Sequence, residues 1–547
     1  MIFRTPLAIL FCALLALFSA CVAPTEQTTR TLGRPAPTEA HPPAVVESFE
    51  LRRLPKVDPS SEVIRLVVHD EPEALPDPEE LPLPSGEEVI PLGQEVYVAA
   101  GPLLLEEVAF SIQQSYPLLM AAIAQREVAD GDQVSAWGEF DLQLKSHHIA
   151  MPLGFYENYR NAFSGTQPLF NGGYLYGGYK IGDGSFQPWF KERETSEGGE
   201  FSAGVGQPLL QGRAIDKRRA ELFQADIARQ AVEPAIQAQL VEFLRAGSLV
   251  YWQWVAAGRN LEAQQELLRI AEERVDQIEI RVEAEDIPRI ARINNQQLIA
   301  SREAKVIESR RKLQQSAIKL SMFLRDPVGN PVVPSPHRLP ESFPDRRRPS
   351  AQQMEADIQS AIDASPLLAQ LDLAAERETV KLQNAENMML PKVDAFMLAS
   401  KDVGGQASRK RDKLPFELEA GLYGELPLQR RAARGKMMAA QGKLAGISAK
   451  RQFTVNKIAA AVQDSISALI AAERRIERTE ANLRLARQTL QAGLLQFDAG
   501  DIDLVTLNIY ERAVTDARML VIAAQADFFS ALADYRAALA QDVWVAQ

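Results

Sequence analysis

The chain says one thing twice, and that repetition limits what it can fold into. Ser115-Tyr116-Pro117-Leu118-Leu119 returns as Ser365-Pro366-Leu367-Leu368. Gly206-Gln207-Pro208-Leu209, at the mouth of a long helical tract, returns as Gly424-Glu425-Leu426-Pro427-Leu428. Asp286-Ile287, beyond that tract, returns as Asp501-Ile502. Each copy reads helix, strand, strand, very long helix, turn, long helix. A duplicated unit of this kind predicts an assembled tube rather than an enzyme pocket.

The helices are too long for an ordinary core. Arg213 to Arg281 carries one break candidate, Pro234, and would be about 100 Å long at 1.5 Å per residue. Arg430 to Phe497 matches it, and helices over Ile287 to Leu324 and Ile502 to Trp544 follow the two turns. Leu261, Leu268, Ala271, Val275, Ile278 and Val282 keep a heptad spacing, as do Leu504, Leu507, Val514, Val521, Phe528, Leu532, Tyr535 and Leu539. Such spacing marks helix-on-helix seams with low crossing angles. A plain antiparallel coiled-coil hairpin would show the same pattern.

Between the helices, residues alternate with period two. Phe140, Leu142 and Leu144 alternate with Asp141, Gln143 and Lys145, and Phe416, Leu418, Ala420 and Leu422 alternate with Glu417 and Glu419. Phe201, Ala203 and Val205 give a third strand; Val393, Ala395 and Met397 give a fourth. One face is apolar and the other polar or small, as a membrane barrel or a half-buried soluble sheet requires. Copy one carries roughly 30 more residues than copy two, including Gly172-Gly173-Tyr174-Leu175-Tyr176-Gly177-Gly178-Tyr179. Their glycine and tyrosine density suits an exposed loop or a strand extension.

Residues 1–20 read as a signal peptide: Arg4, an apolar run from Leu7 to Leu17, then Phe18-Ser19-Ala20. The small residues before Cys21 resemble a bacterial lipobox, which would make Cys21 a lipidated first residue; an ordinary signal peptide with a chance cysteine is the alternative. Residues 21–100, rich in Pro, Glu and Thr, read as a flexible tether. The repeats occupy 101–330 and 351–547, joined by a Pro-rich connector at 331–350. Removal of Cys12 with the signal leaves no thiol pair for an internal disulfide. The net charge of -12 and the lack of a basic patch with interleaved aromatics argue against nucleic acid as a partner. No apolar run of spanning length follows the signal, so any crossing of a membrane would be by β-strands. His147-His148, placed just after a strand, lacks ligand spacing, and no nucleophile elbow, P-loop or zinc motif appears. An enzyme is not expected, and no cofactor or metal is called for.

Three segments carry a resemblance to a known family. Gly206-Gln207-Pro208-Leu209-Leu210-Gln211-Gly212-Arg213 stands at the strand-to-helix junction. Phe497-Asp498-Ala499-Gly500-Asp501-Ile502-Asp503-Leu504 stands at the far turn, and Ala533-Asp534-Tyr535-Arg536-Ala537-Ala538-Leu539 near the end. In this order, over residues 103 to 545, the chain resembles the TolC family of outer-membrane efflux proteins. The resemblance implies a mainly α fold with a small β part. Long coiled-coil hairpins would form an α-barrel tunnel, and four strands per chain would contribute to a 12-stranded barrel in a homotrimer. It implies an outer-membrane location, lipid anchoring at Cys21, and a periplasmic adaptor and inner-membrane transporter as partners. The exported substrate stays open. A periplasmic coiled-coil adaptor or scaffold without a membrane barrel is the rival reading.

The resemblance also draws attention to the far turns as gate and adaptor contact. Glu283, Glu285 and Asp286 flank one; Asp498, Gly500, Asp501 and Asp503 form the other. Copy one has Glu285 where copy two has Gly500, so one turn lacks its glycine. Ungapped alignment puts Thr506 and Ile509 where some family members carry gate acids, so that gate does not transfer directly. Solvation and helix N-terminal charge pairing would explain the same acids.

Overall fold

The computed structural model describes residues 101–186, 195–347, 350–405 and 415–540. The signal segment, Cys21 and the tether lie outside the described residues. Among those described, a short helix α1 (Leu105–Ser115) leads into α2 (Pro117–Trp137). Strands β1 (Gln143–Met151), β2 (Asn158–Pro168), β3 (Tyr174–Gly184) and β4 (Glu200–Pro208) follow. Then come α3 (Lys217–Glu273), α4 (Val275–Glu283) and α5 (Ile290–Leu320). The second copy repeats this plan with α6 (Met354–Asp363), α7 (Pro366–Asn387), β5 (Lys392–Asp402), β6 (Phe416–Glu425), α8 (Arg431–Asp498) and α9 (Leu504–Ala538).

The sheet corrects the strand count. It has six strands in the order β1-β2-β3-β4-β5-β6, every neighbour antiparallel. The extra residues of copy one are the β2–β3 hairpin, and the Gly/Tyr-rich segment is its turn and the first half of β3, not a loop. Twelve strands from three chains therefore does not follow. Phe140 also leaves the first strand: it sits in a 3₁₀ turn and packs on Trp137 and Phe170. The two histidines lie within β1, where His148 Nδ1 is 2.8 Å from Asn161 Oδ1.

Register sorts the side chains. Leu144, Phe163, Tyr179, Phe201, Met397 and Leu418 fall on one face, because successive residues alternate sides and paired residues share a side. Lys145, Arg160, Lys180, Glu200, Ser400 and Glu417 fall on the other. Among the described residues nothing covers the apolar face: Leu144 is 79% exposed and Leu422 71%.

Helices continue the sheet. Near it, α2, α3, α7 and α8 lie side by side; toward the far end the neighbours are α5, α3, α9 and α8. Tract one starts at Lys217, where Asp216 accepts from the Arg219 amide at 3.0 Å and caps the helix. It carries Pro234 within α3 and is interrupted at Arg274, whereas α8 runs for 68 residues unbroken. The main core lies midway, where Tyr251, Trp252 and Trp254 of α3 meet Phe528 and Phe529 of α9. Each such side chain contributes about 1.5–3 kcal/mol on burial. The connector is stitched to this waist: the Arg338 carbonyl accepts from the Leu103 amide at 2.7 Å, and the Leu339 side chain lies over Gly258.

Candidate gate at the helix tips

The two far turns close alike. In copy two the Asp501 amide reaches back to the Gln496 carbonyl at 2.8 Å, with Gly500 at φ +83°. In copy one the Asp286 amide reaches Arg281 O at 2.9 Å, with Glu285 at φ +62°. Both are helix C-terminal motifs that need one left-handed residue. Glu285 adopts that conformation without glycine's freedom, at a cost of about 1–2 kcal/mol.

The structure brings the two tips together. Ile278, Val282, Ala291 and Leu504 form a small buried cluster, with Ile287 and Phe497 packed against it. The Arg281 guanidinium stands 5.1 Å from the Phe497 ring centroid. Glu283, Glu285, Asp286, Asp498, Gly500, Asp501 and Asp503 are all exposed. Asp503 has a structural task as well: it caps α9, its Oδ1 accepting from the Thr506 amide at 2.8 Å. The hydrogen bonds from Thr506 hold its carboxyl below the usual aspartate range.

Just behind the tips lies a group that sequence reasoning missed. Glu511 of α9 is buried between two arginines, its side chain 1% exposed. One oxygen pairs with Arg274, at the interruption between α3 and α4; the other accepts from Arg302 Nη2 of α5 at 2.9 Å. Arg274 Nη1 also donates to Asn508 Oδ1 at 3.2 Å, and Arg302 Nη1 to the Leu267 carbonyl. Burial pulls the Arg302 guanidinium below its ordinary value, and its bond to Glu511 offsets this in part. Asn295 adds a bond to Ala271 O at 3.3 Å. The triad ties three helices from both hairpins at one level, so it resists any splaying of one hairpin from the other. Its signal in the sequence was a charged residue on a heptad seam: Glu511 fills the step between Leu507 and Val514.

At the opposite end, Arg219 organises the strand-to-helix junction. Buried, it donates to the carbonyls of Gly212, Arg213 and Ala214 and to Asp216. This is the physical content of the Gly206–Arg213 motif: the carbonyls of its last turns are satisfied from the helix it leads into.

The fold is that of the TolC-family outer-membrane channels. The outer-membrane channel OprN superposes with a TM-score of 0.58 at 13% identity, over 80% of this chain and 90% of that one. VceC from Vibrio cholerae superposes at 0.56 and 15% identity, over 80% and 97%. The open state of the MtrE channel of Neisseria gonorrhoeae gives 0.57 and 14%, over 81% and 90%. No family model and no curated protein matches the sequence. Likeness at this identity speaks for fold alone.

Proposed function

We propose that this chain is one subunit of a homotrimeric outer-membrane tunnel. It would passively conduct substrates delivered by an inner-membrane transporter and a periplasmic adaptor. The observation that carries the reading is a two-faced sheet that has, among the described residues, nothing over its apolar face and no partner on the outer edge of β1 or β6. Lipid suits the face, and the next copy suits the edges, since closure removes exposed strand edges.

The helices support the same closure. The outermost ones carry exposed apolar side chains: Val134 and Trp137 on α2, Ile293 and Ile307 on α5, Met438 and Leu485 on α8. A lone coiled-coil adaptor would have no use for the lipid-type face. In a threefold assembly the acidic tips would converge, and a ring of carboxylates would favour cations. Asp498, Asp501 and the capping Asp503, with Glu283, Glu285 and Asp286, would serve as gate and adaptor contact, and Cys21 as a lipid anchor. The detergent-solubilised full chain should have the mass of three subunits and migrate on gels in a heat-modifiable way. A stable monomer with full helical content would refute the channel.

A further inference from the structure

The β2–β3 hairpin lies inside the wall rather than beside it. β2 pairs with β3 at eleven positions, from Asn158↔Gly184 to Pro168↔Tyr174. On its flanks β2 pairs with β1, and β3 with β4. The hairpin turn is also keyed to the helical end. Gly172, at φ +88°, sits where a Cβ would come within 2.3 Å of Gly212 O. The Asn171 carbonyl accepts from Gln207 Nε2 at 3.2 Å, and Phe170 packs against Phe223 of α3. The two strands are therefore held in register with the rest of the sheet.

The polar face shows a second feature. Three of its rings, Tyr174, Tyr176 and Phe396, lie against the wall, each over a glycine, while Tyr423 packs under Lys392 near the helical end. A Cβ on Gly206 would meet the Tyr174 ring at 2.3 Å, one on Gly178 the Tyr176 hydroxyl at 2.7 Å, and one on Gly421 the Phe396 ring at 2.7 Å. Tyrosines standing upright would obstruct a lumen; these are laid along its surface.

We infer that three copies close an eighteen-stranded barrel whose exit admits hydrated solutes too wide for a twelve-stranded one. The inference rests on the trimeric channel reading. With strands about 4.8 Å apart and tilted about 40°, the backbone radius is about 18 Å for eighteen strands and about 12 Å for twelve. Allowing about 5 Å for one layer of side chains leaves a free radius of about 13 Å against about 7 Å. Eighteen strands is the size at which porins hold an open aqueous channel.

The deciding measurement is the width of the barrel ring in averaged end-on electron micrographs of the solubilised full chain, with its mass determined in parallel. The expected ring is about 36 Å across the backbone, 1.5-fold wider than twelve strands would give. In bilayers, neutral polyethylene glycol of about 10 Å radius, added on the barrel side, should enter and lower the conductance, because it fits only the wider lumen. Deleting residues 158–184 leaves β1 and β4 antiparallel and able to pair, so that variant should show the narrow ring and exclude the polymer. A three-subunit particle with a ring of about 24 Å would overturn the inference and leave the channel reading standing. A particle that is not a trimer would overturn both. The wild-type ring decides the matter even if the deletion variant does not fold.

Discussion

Glu511→Ala is the sharpest test of how the hairpins are held together. The substitution removes the only carboxylate of the triad and leaves Arg274 and Arg302 facing each other, with side chains 8% and 6% exposed. Breaking a buried ion pair from one side costs about 3–5 kcal/mol. Arg274 keeps Asn508 and Arg302 keeps the Leu267 carbonyl, which places the cost near the lower bound. About 3 kcal/mol corresponds to roughly a 100-fold rise in local opening. Hydrogen exchange of the amides at 267–275 and 507–515 reads that opening directly. Glu511→Gln, which keeps volume and one acceptor, should fall between wild type and alanine. Replacing all three residues together by Met, Leu and Leu should restore protection, because packed apolar side chains match or exceed a buried ionic group. Single-channel recordings should show a higher open fraction in Glu511→Ala. Exchange within about threefold of wild type in both single variants would refute the argument, since the expected cost implies a far larger change.

Two further outcomes follow from the tips. Glu285→Gly should stabilise the first turn by about 1 kcal/mol and Gly500→Ala should destabilise the second by a similar amount, because each turn needs a left-handed residue; thermal melts of the two variants should shift in opposite directions. The lowered carboxyl of Asp503 makes its cap pH-sensitive: its contribution is full above the unfolded aspartate value of about 3.9 and is lost as pH falls through the depressed folded value. Protection of the Thr506 amide should therefore fall in acid, and Asp503→Asn should remove most of that dependence.

Much of this architecture could be read from the chain because its helices obey one long-range rule. The heptad seams through Leu504, Leu507 and Val514, the two acidic turns and the duplicated strand-to-helix junction all lie where spacing puts them. The β2–β3 hairpin stayed hidden for a physical reason. Gly165 and Gly177 stand on the apolar face, and Gly178 and Gly182 on the polar one, so alternation that is plain in β6 fades in β2 and β3. Only pairing with neighbours reveals their faces. The triad was obscured by long sequence separation: Glu511 stands on a heptad seam, but Arg274 and Arg302, its partners, are far from it in the chain, and each of them alone looks like a solvated helix charge. The missing glycine of copy one was visible; that Glu285 would adopt the same backbone conformation required the structure.

The interruption at Arg274 makes the two hairpins unequal as levers. Beyond it, α4 is a nine-residue arm, about 13 Å long. Pivoting that arm by 20° carries its end sideways by about 5 Å while the trunk of α3 stays still. The unbroken α8, about 100 Å long, can move its end by the same amount only by bowing or tilting through its whole length. Movement at the first tip can therefore be taken up at Arg274 once the tip's packing on Leu504 and Phe497 is released, whereas movement at the second is passed up along α8.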